Sequence, residues 1–365
     1  MGKRELLIIV IFGAVAFLAY QLTAPATPDG RGFSFSRLFR EMHREVRGNP
    51  ARESHTHRGS MPASAELEEI RISGGLARVR VVGEARKDIA YDLPIDSTGP
   101  DQATALEYAR RVSVRLDDLG STATLSVTYP REGTQSGTLT VLVPSRLGVR
   151  MVGGVPAIEN VASVQLDGVS GDTTIKTVAG SLTGAHRNGR LTVDGIGSIT
   201  LSIDRSRARF FNVRGDVTLT ARNGECSVED SRGSLIIEPS NVELSIARHQ
   251  GPVRVTGSSG VVRLDGTEGD VSIDMRHAEV EVIVTTAHSM TLLTTDDPLR
   301  VFLDARVDLA VDAIASEGKI QASEFGLTPE THDRDMRLAH TFGSGNAPRA
   351  ALRNTRGDIV IRLRK

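Results

Sequence analysis

Six acidic residues, Asp216, Glu225, Glu243, Asp270, Glu279 and Glu281, fall on outward strand positions. Paired carboxylates of this kind cleave glycosidic bonds when they sit a few ångströms apart on one face. Here they are dispersed. Asp216 and Asp270 are 54 residues apart, three coils of eighteen, and a strand spacing of about 4.8 Å would separate them by roughly 14 Å. Glu279 and Glu281 share a strand and a face, where the alternation reads as a solvated edge. Two histidine groups have the ligand types for a metal: His55-Thr56-His57, and His332, Asp333, Asp335 and His340. Two histidines make a weak site, and the second spacing matches no standard one. The single cysteine, Cys226, falls on an inward position and reads as a small buried hydrophobe. No residue is therefore assigned a catalytic, cofactor-binding or metal-binding role.

The elements that carry these residues follow a nine-residue beat. Glycines open short strands at Gly171, Gly180, Gly189, Gly197, Gly215, Gly224, Gly233, Gly251, Gly260 and Gly269. Where the step doubles, glycine-free strands start on the beat at Ser206 and Val242, and another comes at Ala278. The second and fourth positions after each start are apolar, as in Leu191/Val193, Ile199/Leu201, Cys226/Val228, Leu244/Ile246 and Val280/Val282. The positions between them are polar, as in Arg190/Thr192, Ser198/Thr200, Glu225/Ser227 and Asp270/Ser272. Successive strand side chains face opposite ways, so one set lines a core and the other meets water. Asn188-Gly189, Asp194-Gly195, Asn223-Gly224, Ser259-Gly260 and Asp265-Gly266 supply the corners. Nothing recurs at 3.6 residues. The expected fold is all-β, a single-chain β-solenoid of nine-residue strand-turn units, rather than a sandwich with longer crossovers. Ser206, Val242 and Ala278 recur every 36 residues, which fits coils of 18 or one four-sided coil of 36. The eight-residue step before Gly197 is a one-residue slip, placed at Gly195-Ile196-Gly197.

Composition removes several functions. The chain has 365 residues, 36 glycines, no tryptophan and a formal net charge of −1. That balance gives no electrostatic case for nucleic acid, and no aromatic-basic platform is present. The calcium-binding nonapeptide solenoid shares the beat but needs Gly-Gly-x-Gly-x-Asp corners, which this chain lacks. No phosphate-loop, dinucleotide or triad signature occurs, and no cofactor is expected.

The amino-terminal region sets the expected compartment. Lys3 and Arg4 precede an apolar run, 6–22, that targets a membrane with its positive side in the cytoplasm. Residues 1–26 are read as a retained single-pass anchor, or as a signal peptide cleaved near Ala26. Either way, the remainder of the chain is expected outside the cytoplasm. Residues 27–65 are read as a linker, with an amphipathic basic helix over 33–47 and a flexible spacer from Asn49 to Pro62. Residues 66–150 are the expected amino-terminal β cap, with a short helix at Ala103–Arg111 running into a strand at Val112–Leu116. Residues 151–365 are the solenoid, with an irregular surface loop at about 325–346.

These features resemble the bacterial "putative adhesin" β-solenoid family, a domain of unknown function in envelope proteins. The resemblance rests on Leu142-Val143-Pro144 leading into Leu147-Gly148-Val149. It rests also on the Gly-Asp openings at Gly171-Asp172, Gly215-Asp216 and Gly269-Asp270, and on the closing run from Ala347 to Ile361. It implies an extracytoplasmic surface module and transfers no catalytic residue. The expected role is therefore non-catalytic: structural, adhesive or scaffolding at the cell envelope. An envelope sensor is the alternative, and a carbohydrate-active enzyme stands behind both. Expected partners are the membrane through 6–22, an unidentified envelope protein or polysaccharide, and further copies of the chain.

Overall fold

The computed structural model describes residues 50–73, 75, 78–343 and 345–364. The expected membrane segment 6–22, the cleavage position near Ala26 and the helix over 33–47 lie outside them. Among the described residues no helix is long and apolar enough to cross a membrane. The described residues are all-β, a single 23-stranded sheet whose pairings are mostly parallel.

The regular part begins with β8 (Gly148–Val152), β9 (Val155–Val161) and β10 (Ser163–Ser170). It continues through β11 (Thr173–Val213), β12 (Val217–Arg232), β13 (Leu235–Gln250), β14 (Val253–Glu268) and β15 (Val271–Val284). Val217 pairs in parallel with Leu235, Leu235 with Val253, and Val253 with Val271. Each partner lies eighteen residues on, so the coil has eighteen residues. The inward positions read from the alternation are buried, from Leu191 and Val193 through Cys226 and Val228 to Val280 and Val282. They form one continuous apolar core along the stack.

The 36-residue recurrence has a steric origin. Ser206, Val242 and Ala278 are buried at one corner, and the intervening coils carry Gly224 and Gly260 there. A Cβ on Gly224 would come within 2.1 Å of the Ser206 carbonyl oxygen, and one on Gly260 within 2.2 Å of that of Val242. One coil therefore fills the corner with a side chain and the next leaves it empty. The expected one-residue slip is also present. The atoms nearest a Cβ on Gly195 belong to Thr177, eighteen residues back, whereas those nearest one on Gly197 belong to Gly180, seventeen back.

Every coil also turns through left-handed backbone. Arg205, Asn223, Asn241, Ser259 and His277 occupy one corner at φ between 47° and 58°, and Asn212, Asp230 and Arg248 occupy another at 50° to 53°. Asparagine and aspartate enter this region more readily than other non-glycine residues. Arginine, serine and histidine do so here because the paired strands on either side dictate the path.

Both ends of the stack depart from chain order. The amino-terminal elements are β1 (Ala51–Pro62), β2 (Glu69–Ser73), β3 (Arg78–Glu84), β4 (Asp88–Gly99) and helix α1 (Gln102–Arg110). They are followed by β5 (Ser113–Asp118), β6 (Thr122–Thr128) and β7 (Thr134–Pro144). β2 lies between β6 and β8, and β3 between β7 and β9, all in parallel. The expected cap over 66–150 is thus partly stack, and its boundary falls inside β8. Antiparallel strands close this end, with β5 on β6, β4 on β7 and β1 on β4.

Residues 51–62 are a correction, because the expected flexible spacer is strand β1, registered with β4 from Ala51–Gly99 to Pro62–Asp88. Its side chains alternate half-buried and exposed. Only Ala51 and Met61 before Pro62 are apolar, so no hydrophobic period announced it. α1 lies one residue earlier than expected and is capped by Asp101, whose carboxylate accepts the Thr104 N–H at 2.8 Å.

The carboxyl-terminal end consists of β16 (Met290–Thr295), β17 (Leu299–Leu303), β18 (Leu309–Ser316) and β19 (Ile320–Gln321). After them come a 3-10 turn at Ser323–Phe325, β20 (Glu330–His332), β21 (Asp335–Phe342), β22 (Arg349–Thr355) and β23 (Ile359–Leu363). The expected irregular loop at 325–346 is a second correction. β20 and β21 form a hairpin, and β21 pairs antiparallel with β18 from Ser316–Asp335 to Leu309–Phe342. Polar residues dominate it because it covers the end of the stack with one face only.

Gly251→Ala should lower unfolding stability by about 3 kcal/mol, because the added carbon would lie 2.2 Å from the Gly233 carbonyl oxygen at φ +134°. Ser206→Ala, at the corner that accepts a side chain, should cost about 1 kcal/mol. Urea denaturation of the two variants measures the difference.

Candidate functional site

The strand faces turned away from the core carry rows of side chains at one-coil spacing. Thr218, Ile236, Arg254, Ser272, Thr291 and Ala351 are successive register partners across β12, β13, β14, β15, β16 and β22. Together with Ser234, Asp270 and Arg349 from the neighbouring row, five of them line an open groove of about 810 Å³. Ile236 is the large apolar side chain in this row and is 38% exposed. The groove offers hydroxyls, two guanidinium groups, the Asp270 carboxylate and the exposed Ile236 on rows set by the backbone, which suits an extended ligand.

The six acids named from the sequence are positioned by the same repeat. Three coils separate Asp216 from Asp270, as the register from Val217 to Val271 shows. Asp216 is tied to the next coil, its Oδ1 accepting the Ser234 N–H at 2.9 Å. Asp172 accepts from Arg190 and Asp358 from Lys319 in the same way, so the Gly-Asp opening is a bridge between coils. Glu225 takes Nε and Nη2 of Arg207 at 2.5 and 3.0 Å, and this guanidinium holds its carboxyl below the usual range. Glu243 pairs with Arg263 at 2.5 Å, and Glu279 with Arg300. Glu279 and Glu281 do not lie at an edge, which corrects the sequence expectation. Their strand runs between β14 and β17, with Arg263 and Arg300 the register partners of Glu281. Side chains that alternate in charge look solvated in a sequence whether or not a strand flanks them.

The histidine groups do not assemble a metal site. His55 and His57 stack edge to face at 4.8 Å on β1, and His57 Nε2 lies 3.0 Å from the Ala109 carbonyl at the end of α1. His332 and Asp333 are exposed at the β20–β21 turn, Asp335 accepts the Ser316 hydroxyl at 2.8 Å, and His340 stacks on Phe342. Among the described residues no three metal-ligating side chains converge. Cys226 is buried, and burial pushes its thiol up to about 12.

Three buried histidines escaped the sequence reading. His186 and His249 are fully buried and His288 nearly so. His186 Nε2 donates to the Gly171 carbonyl at 3.0 Å, and its Nδ1 lies 3.0 Å from Ser206 Oγ. His249 Nδ1 lies 2.8 Å from Ser231 Oγ, and the Thr267 hydroxyl has no hydrogen-bond partner among the described residues. Ser231, His249 and Thr267 are stacked register partners. Eighteen residues before Ser231, the column holds Val213. The signal was a run of three polar residues following Val213 in one buried column, visible only once the eighteen-residue register is known.

No protein-family model and no curated protein matches the chain. Similar solved structures include one described as a "putative adhesin" from Parabacteroides distasonis, at 8% identity and TM-score 0.34, covering 85% of this chain and 97% of that one. Another "putative adhesin", from Parabacteroides merdae, is 10% identical with TM-score 0.31 and covers 86% and 97%. A "putative lipid binding protein" from Parabacteroides distasonis is 8% identical with TM-score 0.26, covering 85% and 97%. The adhesin description is the one that the Gly-Asp openings and the closing run resemble. At these identities and TM-scores the likenesses assign no role.

Burial lowers the pKa of His186, His249 and His288. Each unfolded histidine therefore takes up a proton near pH 6.5 that its folded counterpart refuses. Their contribution to stability is full above that pH and is lost as pH falls from there through the folded values. Each refused proton steepens the decline by about 1.4 kcal/mol per pH unit. Chemical denaturation from pH 8 to 5 should show the fall, reduced in His249→Gln. Cys226 should resist a thiol reagent in the native protein and react at once in denaturant.

Proposed function

We propose that this chain is a β-solenoid acting as a non-catalytic, extracytoplasmic module, tethered through residues 6–22. Its outward polar face binds a polysaccharide or protein of the cell envelope. The observation that carries this reading is the groove over β13 to β16 and β22. Along one row, at one-coil spacing, it presents the exposed Ile236, the Arg254 guanidinium and the Ser272 and Thr291 hydroxyls. Contacts repeated at about 4.8 Å favour a ligand that is itself extended, and many weak contacts sum to useful avidity. Commitment of Asp216, Glu225, Glu243 and Glu279 to partners one coil away also supports a binding role. A glycosidase needs a carboxyl group free to protonate a leaving group.

Residues 50–365 are the appropriate fragment for the test, because β1 is hydrogen-bonded into the sheet. Immobilised on beads, they should retain an envelope polysaccharide or protein from a cell-envelope extract. The double variant Ile236→Glu/Arg254→Glu should weaken that retention roughly ten-fold with unchanged unfolding. Undiminished binding by the variant would remove the groove from the proposal, and release of reducing sugar from the polysaccharide would replace it with an enzymatic role. Fractionation of tagged full-length protein should place it with membranes, its carboxyl-terminal part open to protease outside the cytoplasm.

A further inference from the structure

The last coil of the chain is not the last coil of the stack. β22 is hydrogen-bonded on one side to β16, from Met290–Ala350 to Thr295–Thr355. Its other side pairs with β18, from Ala310–Arg349 to Ser316–Thr355. β23 lies likewise between β17 and β19. Both neighbouring coils precede this segment in the chain, so it occupies a slot between two coils that come before it. The slot is apolar within, receiving Ala350, Leu352, Ile359 and Ile361, all buried. At its rim Asp312 of β18 binds Arg349 at 2.5 Å and Arg353 at 3.0 Å.

The intercalated coil at the other end is held differently. β2–β3 continues into β4 on one side and comes after β1 on the other, and both strands belong to the same sheet. Among the described residues β22–β23 has one such connection, residues 343–348 from β21. Phe342 pairs with Leu309 on one side of β18, and Arg349 with Ala310 on the other. The connection must therefore cross about 10 Å, two strand spacings. Its six residues reach roughly 20 Å when extended. It has slack.

We propose that the slot between β16–β17 and β18–β19 accepts segment 349–363 of a second copy in place of its own. Two chains would then be joined by reciprocal exchange at their carboxyl-terminal ends. Every contact of the closed monomer is remade in such a dimer, including Asp312 with the two arginines. The difference between the two states lies mainly in the path of 343–348 and in concentration.

Thr291 and Ala351 are register partners across β16 and β22, and parallel neighbours are within disulfide reach. Full-length Thr291→Cys and Ala351→Cys chains, differently tagged and co-expressed, should give a disulfide-linked heterodimer on mild oxidation. The mid-stack partners Arg254→Cys and Ser272→Cys, co-expressed in the same way, should give several-fold less. Both substitutions in one chain, Thr291→Cys/Ala351→Cys, should close within that chain in the monomer and between chains in the exchanged dimer, as should Leu293→Cys/Arg353→Cys. Closure within single chains together with no more heterodimer than the mid-stack control would overturn the exchange. Failure of both single-chain pairs to close would overturn the intercalated register, and the exchange with it.

Discussion

Parallel strands stacked in register leave almost no room between consecutive coils at their corners, and the rest of this structure depends on that. Strands held one spacing apart bring the corner carbonyl of one coil within about 2 Å of where the next coil's Cβ would be. Glycine on alternate coils at the Ser206 corner is one solution. Left-handed residues at two corners of each coil are another, and they persist even where the residue is arginine, histidine or serine. Corner geometry repeats because each coil is the template for its neighbour.

The same templating explains the polar surface. Once the register is eighteen residues, a side chain on one coil meets its counterpart on the next. Arg248 reaches Asp230, Arg207 reaches Glu225, and Asn241 donates to Asn223. Exposed pairs of this kind contribute little stability singly. The consequence of the arginine pairs is chemical, since each occupies a carboxylate that could otherwise act on a ligand. A surface ordered in this way presents repeated donors and acceptors more readily than a single reactive centre.

A stack of parallel coils must also end, and an open end is a row of unpaired backbone groups. Both ends here use the same two devices. Antiparallel strands, β1, β4 and β5 at one end and β20–β21 at the other, cover the exposed coil. One coil is inserted out of chain order beneath them, β2–β3 at the first end and β22–β23 at the second. The inserted coils place residues far apart in sequence, such as Ile70 and Val149 or Leu292 and Leu352, side by side in the core.

Alternation of apolar and polar residues was enough to read the all-β class, the inward set from Leu191 to Val282, and the buried state of Cys226. Strand periodicity is local, and each coil sees nearly the same environment, so a local signal repeats until it is unambiguous. The slip at Gly195-Ile196-Gly197 was legible for the same reason. Strand β1, the β20–β21 hairpin and the order of the terminal coils were not. These elements bury one face or none, and their partners are fixed by backbone hydrogen bonds that any sequence can make. The acids around Glu279 and the polar column through His249 became interpretable only with the register, which decides what lies one coil above and below. Residue types along the chain thus determined that coils form, and stacking in three dimensions decided which coil meets which.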